Sequence, residues 1–186
     1  FYYITTTNEN YKHPSKPKNC DDGIVKGMYK LYSSNKSKIR LLGSGSILRE
    51  SIKASKILEK YGIESEIWSV TSFNLLKKDG MEVERENFLN PGKKGKTSYV
   101  EECFNDNNIP VIAATDYIRS YADQIRPYVN SSYYVLGTDG YGRSDSRQRL
   151  REFFEVDAKS IVRTAVYALL QDGEITKELC KKVYKD

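Results

Sequence analysis

Val135-Leu136-Gly137-Thr138-Asp139-Gly140-Tyr141-Gly142-Arg143-Ser144-Asp145-Ser146-Arg147 is the stretch on which the reading of this chain turns. An apolar strand runs into a loop dense in carboxylate, hydroxyl and guanidinium groups, and the loop opens onto a helix. Three glycines fall within the six residues Gly137 to Gly142. Glycine adopts backbone angles closed to other residues and lets a second chain segment or a ligand come close. Asp139, Arg143, Ser144, Asp145 and Arg147 crowd this loop, which makes them candidates for an interface or one wall of a channel. Arginine suits such contacts through its planar, bidentate geometry. Paired carboxylates for acid–base catalysis would need a shared cavity and one raised pKa, and a sequence shows neither. Ser144 and Ser146 read as helix caps.

Outward from this loop, strands and helices alternate. Ile39–Leu42, Ile63–Val70, Pro110–Ala114 and Tyr133–Leu136 read as strands. Ser46–Tyr61 reads as a helix stopped at Gly62. Asn74–Asn90 reads as two helical pieces broken at Gly80. Ser98 and Glu101 have capping-box spacing. Asp116 reads as the start of a helix with Ile118, Tyr121, Ala122 and Ile125 inward, ended by Pro127. Ser146–Phe154 is helical. Asp157 caps a helix with Val162, Ala165, Val166, Leu169 and Leu170 on one face, stopped at Gly173. Ile175, Leu179 and Val183 mark a last one. Strands separated by helices imply parallel crossovers and a sheet covered on both faces, an α/β class.

The bulk numbers narrow the function. The 186 residues suit one domain with a piece of a neighbour. Phe1–Thr7 reads as a strand cut into from a longer protein, and Asn8–Asp22, with Pro14 and Pro17, as an extended linker. The boundary falls near Cys20, with 1–20 as tail and linker and 21–186 as the domain. The three cysteines, Cys20, Cys103 and Cys180, are far apart and form no CxxC pair. They suit a reducing compartment and inert thiols. The net charge is +5, but Lys93, Lys94 and Lys96 form the one local run. The tyrosines do not interleave with the lysines as a nucleic-acid surface requires. No run approaches the ~18 apolar residues of a membrane span.

Gly43-Ser44-Gly45-Ser46-Ile47-Leu48 follows a strand and opens a helix, as a dinucleotide fingerprint does. Its third glycine position holds Leu48, whose side chain is expected to hinder close helix–strand packing. A tight strand-to-helix turn is the preferred reading. A Ser-His-Asp triad is not supported, since His13 is the only histidine.

Six ordered blocks carry a resemblance. They are Phe1–Thr6 with Asn8-Glu9-Asn10-Tyr11, Leu41–Arg49, Trp68–Phe73, Thr115-Asp116-Tyr117, Gly137–Arg147 and Phe154–Ala158. Together they resemble the C-terminal part of the homodimeric, bacterial-type pyruvate dehydrogenase component, of the transketolase superfamily. The resemblance implies a transketolase C-terminal-domain-like fold, with a mixed, mostly parallel five-stranded sheet and helices on both faces. It makes residues 1–20 the tail of a preceding pyrimidine-binding domain. It implies an oxidoreductase of pyruvate metabolism, decarboxylating pyruvate with thiamin diphosphate and Mg and reductively acetylating the lipoyl group of dihydrolipoyl acetyltransferase. The partners implied are the rest of the chain, a homodimer mate and that acetyltransferase, in the cytoplasm, with no nucleic acid and no membrane. This part would support the dimer and be inactive alone. The family's cofactor signature is Gly-Asp-Gly, whereas Thr138 precedes Asp139-Gly140 here, so cofactor and metal would bind elsewhere.

The resemblance also places a catalytic histidine just after Asn-Tyr. Here Asn10-Tyr11 is followed by Lys12, with His13 one place later, so Lys12 and His13 are both candidates. An imidazole exchanges protons near neutral pH. A lysine supplies charge to a carboxylate. Two other readings stand beside this one: another transketolase-like thiamin enzyme, and a stand-alone α/β module binding an anion or protein.

Overall fold

The computed structural model describes residues 9–105 and 108–185; the strand expected over Phe1–Thr7 lies outside them. Its centre is β2 (Ile39–Ser44), buried along its whole length. A strand buried on both faces reads as a continuous apolar run, and only helices on both sides can produce that. Parallel to β2 run β3 (Ser65–Val70) on one side and β4 (Val111–Ala114) on the other. Beyond β4 lies β5 (Tyr133–Leu136), also parallel. At the opposite edge β1 (Met28–Tyr32) pairs antiparallel with β3. The order is β1-β3-β2-β4-β5, a mixed five-stranded sheet. Sequence reading had no strand at β1. Only Met28 and Leu31 of its five residues are buried, and Lys30 interrupts the apolar pattern.

Alternate residues of each strand face opposite layers. Ile39, Leu41, Ile112 and Ala114 pack against α2 (Leu48–Glu59) and α7 (Ala158–Gln171). Leu42, Val111, Ala113 and Val135 face α3 (Phe73–Leu89), α4 (Tyr99–Phe104) and α5 (Arg119–Asp123). The remaining helices are α1 (Asp21–Lys26), α6 (Arg147–Phe153) and α8 (Lys177–Lys185). The capping box at Ser98 and Glu101 forms in full. Asp157 accepts from Ser160 N at 3.1 Å to start α7. Gly62 and Gly173 stand in the left-handed region after their helices.

Four local expectations are corrected. α3 runs unbroken through Gly80. A Cβ there would lie 2.3 Å from ring atoms of Tyr128, so the glycine admits an aromatic ring, and its helix cost of roughly 1 kcal/mol is offset by that packing. α5 starts at Arg119, not Asp116. The carbonyls of Asp116 and Tyr117 accept instead from Thr138 Oγ1 and N, at 2.7 and 2.8 Å, so they cannot begin a helix. Ile118 is accordingly exposed, while Ala122 and Ile125 point inward. The helix ends before Pro127, which sits in a separate 3₁₀ turn, Arg126–Tyr128. Ser146 caps α6, and Ser144 does not. Leu48 does not hold its helix away from the sheet: a Cβ on Gly43 would sit 2.5 Å from the Leu48 Cα. The backbones touch, with the glycine on the strand side.

Candidate functional site

From β2 the chain turns towards β3, and from β4 it turns the other way towards β5. The loops leaving β2 and β4 therefore diverge and leave a crevice at the C-terminal ends of the parallel strands. That switch point is where open α/β sheets bind ligands. At its floor Ser44 Oγ donates to Thr115 Oγ1 at 2.9 Å, both residues buried. Above it Ser46 Oγ donates to Asp116 Oδ2 at 3.1 Å.

The Gly137 loop forms one wall. A Cβ on Gly137 would lie 2.8 Å from Tyr117 O and Arg119 N, so the loops after β4 and β5 can stack only because this residue is glycine. Asp139 Oδ1 accepts from Arg119 N at 2.8 Å and ties the same two loops. Gly140, at a φ of 91°, turns the chain away from the sheet. Gly140 and Gly142 have open space around them, and Tyr141 is 96 % exposed.

The five candidate residues of this loop do not form one charge network; each has its own surroundings. Asp139 binds the start of α5. The Arg143 guanidinium lies 4.1 Å from the Phe153 ring centroid. Ser144 is exposed. Asp145 Oδ1 accepts from Ser146 N at 2.7 Å. Arg147 Nη1 reaches back across the chain, donating to Tyr11 Oη at 2.7 Å and Glu9 Oε2 at 3.0 Å. The Arg49 guanidinium stands 4.3 Å from the Tyr11 ring centroid. The hydrogen bond with Tyr11 holds the Glu9 carboxyl below its ordinary value, partial desolvation opposes this, and Arg147, Arg151 and Arg49 add to the lowering. Tyr11 likewise raises Arg147.

The segment that carries Glu9 and Tyr11 thus lies across the rim. Lys12 and His13 are exposed and line a cleft of about 880 Å³ with Arg49, Ser69 and Thr71. A second cleft of about 610 Å³ is walled by Asp116, Thr138, Arg143, Arg147 and Arg151. Ser46 lines both. The structure therefore brings Lys12, His13 and Arg147 to one rim, and sets Asp139 and Asp145 to bracing loops.

Sequence reasoning missed Glu50 and Arg151. Glu50 is buried at the start of α2 and accepts from Arg151 Nη1 at 3.2 Å, Lys53 Nζ at 2.8 Å and Ala158 N at 3.2 Å. It thereby ties α2, α6 and α7 together beneath the rim. Arg151 Nη2 also donates to Ser46 Oγ at 3.4 Å. A readable signal existed: Arg147 and Arg151 are one helical turn apart and share a face.

A bound divalent cation and diphosphate would need a cluster of oxygen donors and free backbone amides. Among the described residues no group of three His, Cys, Asp or Glu gathers to hold a metal. The space under the Gly43 turn is filled by the backbone of Leu48, and the Arg147 and Arg151 guanidiniums hold the protein's own carboxylates. These residues do not fit a metal–diphosphate group.

The fold, its switch-point rim and its sequence agree on a class. The chain belongs to the transketolase-like TK C-terminal domain family, whose model matches residues 27–157. More particularly, it is 54 % identical over 180 residues to the pyruvate dehydrogenase E1 component of Pseudomonas aeruginosa, covering 94 % of this chain and 20 % of that protein. It is 49 % identical over 183 residues to the protein of that name from Escherichia coli K12, covering 96 % of this chain and 20 % of that one. The chain spans about a fifth of the length of these curated relatives. Among solved structures, transketolase from Leishmania mexicana matches with a TM-score of 0.59 at 16 % identity, over 81 % of this chain and 19 % of that one. Transketolase from Campylobacter jejuni matches with a TM-score of 0.55 at 19 % identity, over 82 % and 20 %. At such identity the likeness speaks for the fold alone.

Proposed function

We propose that this chain is the C-terminal domain of an acetyl-transferring pyruvate dehydrogenase. The observation that carries the reading is the 54 % identity extending over 94 % of the chain. Residues 1–20 are then the tail of the preceding pyrimidine-binding domain with its linker, and residues 21–186 the C-terminal domain. The whole enzyme decarboxylates pyruvate and passes the acetyl unit to the lipoyl group of dihydrolipoyl acetyltransferase, as a homodimer in the cytoplasm. Thiamin diphosphate and Mg belong to the larger remainder of the protein, since the residues described here do not suit them. The domain's own contribution is to hold the linker on the rim. There the His13 imidazole acts as a general acid or base, or the Lys12 side chain meets the substrate carboxylate. No helix among the described residues is long and apolar enough to cross a membrane.

The test uses the complete protein, with His13→Ala and Lys12→Ala made separately. Pyruvate decarboxylation is followed with an artificial electron acceptor, and acetyl transfer with the lipoyl domain. The parent is expected to perform both steps. Loss of a group engaged in proton transfer costs about 10²-fold or more, and the variant that shows this loss identifies the group. A parent that does not turn over pyruvate overturns the reading.

A further inference from the structure

Two motifs that lie at opposite ends of the chain form one assembly on the rim. Tyr11 belongs to the linker, and Arg147 lies just past the glycine loop, 136 residues later. Arg147 is the first residue of α6, whose N-terminus is fixed by the Ser146 cap. Arg49 projects from the first turn of α2. The two helices are themselves locked together by the Arg151–Glu50 ion pair, with Glu50 6 % exposed. The platform is therefore rigid, whereas the segment it holds has no regular secondary structure from Asn10 to Pro17. On that segment Tyr11 is gripped at both ends. Its hydroxyl accepts from Arg147 and its ring lies against the Arg49 guanidinium. A guanidinium against an aromatic ring is attracted by the ring's quadrupole.

We propose that Arg147 and Arg49 are positioning residues that act through Tyr11: they clamp its hydroxyl and ring and so fix where Lys12 and His13 stand in the cleft. The inference rests on the reading that Lys12 or His13 takes part in the reaction. It explains what the glycine loop does. Gly137 and Asp139 bind the loop down onto the start of α5, and the loop then delivers Arg147 to the linker. Lys12 and His13 are one and two residues from the clamped ring. A displacement of the ring of about 1 Å is passed directly to them, and a misplacement of that size can cost up to ~10²-fold in rate.

The experiment uses the complete protein and two readouts: the kinetics of pyruvate decarboxylation, and the rate at which trypsin cuts after Lys12. Arg147→Ala is expected to lower kcat at least about tenfold with a smaller change in KM, and to speed cleavage after Lys12. Arg147→Lys restores part of both, because it keeps the charge and loses the fork. Tyr11→Phe, which removes one oxygen and disturbs the fold least, shifts both readouts in the same direction. Arg163→Ala, on α7 away from the linker, leaves them unchanged. An Arg147→Ala or Tyr11→Phe protein with parental kcat and parental cleavage overturns the clamp. Faster cleavage at parental kcat also overturns it as a device for positioning. If the parent itself does not act on pyruvate, the functional reading fails, and the clamp stands or falls on the cleavage rates alone.

Discussion

Two ion pairs in this molecule have the same chemistry and the same length. Arg40 Nε donates to Glu66 Oε2 at 3.0 Å, and Arg147 Nη1 donates to Glu9 Oε2 at 3.0 Å. The first pair lies inside the sheet, with side-chain exposures of 0 % and 4 %. The second lies on the rim, at 38 % and 54 %. Arg40 and Glu66 face each other in the β2–β3 register. Glu66 also accepts from Trp68 Nε1 at 3.1 Å and from Lys30 Nζ at 3.2 Å, and the Arg40 guanidinium lies 4.8 Å from the Phe104 ring centroid. A one-residue slip of β3 would turn the Glu66 carboxylate to the other face and break its contact with the buried guanidinium. The buried pair therefore enforces a register. The rim pair is screened by water and contributes little to stability. It can hold a segment whose place matters and which the fold does not otherwise need. The water around an ion pair, more than its geometry, decides which of these roles it takes.

The sharpest way to break that contrast is to remove one partner of each pair. Glu66→Ala leaves the Arg40 guanidinium buried without its carboxylate and is expected to cost about 3–5 kcal/mol in urea unfolding. Replacing both, Arg40→Met with Glu66→Leu, should recover part of this. The remainder is about 1–3 kcal/mol for the stranded Trp68 N–H. A double variant as unstable as Glu66→Ala would show that packing, not charge, governs the site.

A buried contact without charge separates the two effects. Gly80→Ala places a methyl group against the Tyr128 ring. Overpacking of about 1–3 kcal/mol should outweigh the roughly 1 kcal/mol gained in helix propensity. A stabilised variant would mean that the ring moves freely.

The smallest effect is on the rim. Glu9→Ala should leave the midpoint of urea unfolding unchanged, because the pair is exposed. The pH dependence has a definite sign. The Glu9 carboxyl is held below its ordinary value of 4.5, chiefly by Tyr11. Its hold on the linker is therefore complete above pH 4.5 and is lost as pH falls through the depressed value. A carboxyl titration followed by NMR checks this, and a midpoint at or above 4.5 would remove the contact.

Much of the architecture was legible because local chemistry and tertiary demand coincide. Ser98 with Glu101, Asp157, Gly62 and Gly173 act where they stand, through hydrogen bonds or backbone angles within a few residues. The strands β2, β4 and β5 are recognisable because burial keeps most of their residues apolar, Arg40 and Ser44 of β2 being the polar exceptions. Errors arose where a distant partner took over a local signal. Gly80 resembles a helix break until the Tyr128 ring is seen beside it. Asp116 resembles a cap until Thr138 takes the carbonyls. β1, interrupted by Lys30, shows no strand pattern until β3 pairs with it.

The same division runs through the site. The sequence by itself determined that a glycine-rich loop rich in arginine and aspartate follows the last strand, and that Lys12 and His13 follow Asn10-Tyr11 in a proline-bearing segment. Only the tertiary structure decided that these belong together. It set Asp139 to bracing α5, buried Glu50 beneath the rim, and brought Arg147 onto Tyr11 across the length of the chain. The physical reason is range. Caps, turns and periodicity act over a few residues, whereas the strand order that places β2 beside β4 arises from burying the two faces of the sheet at once.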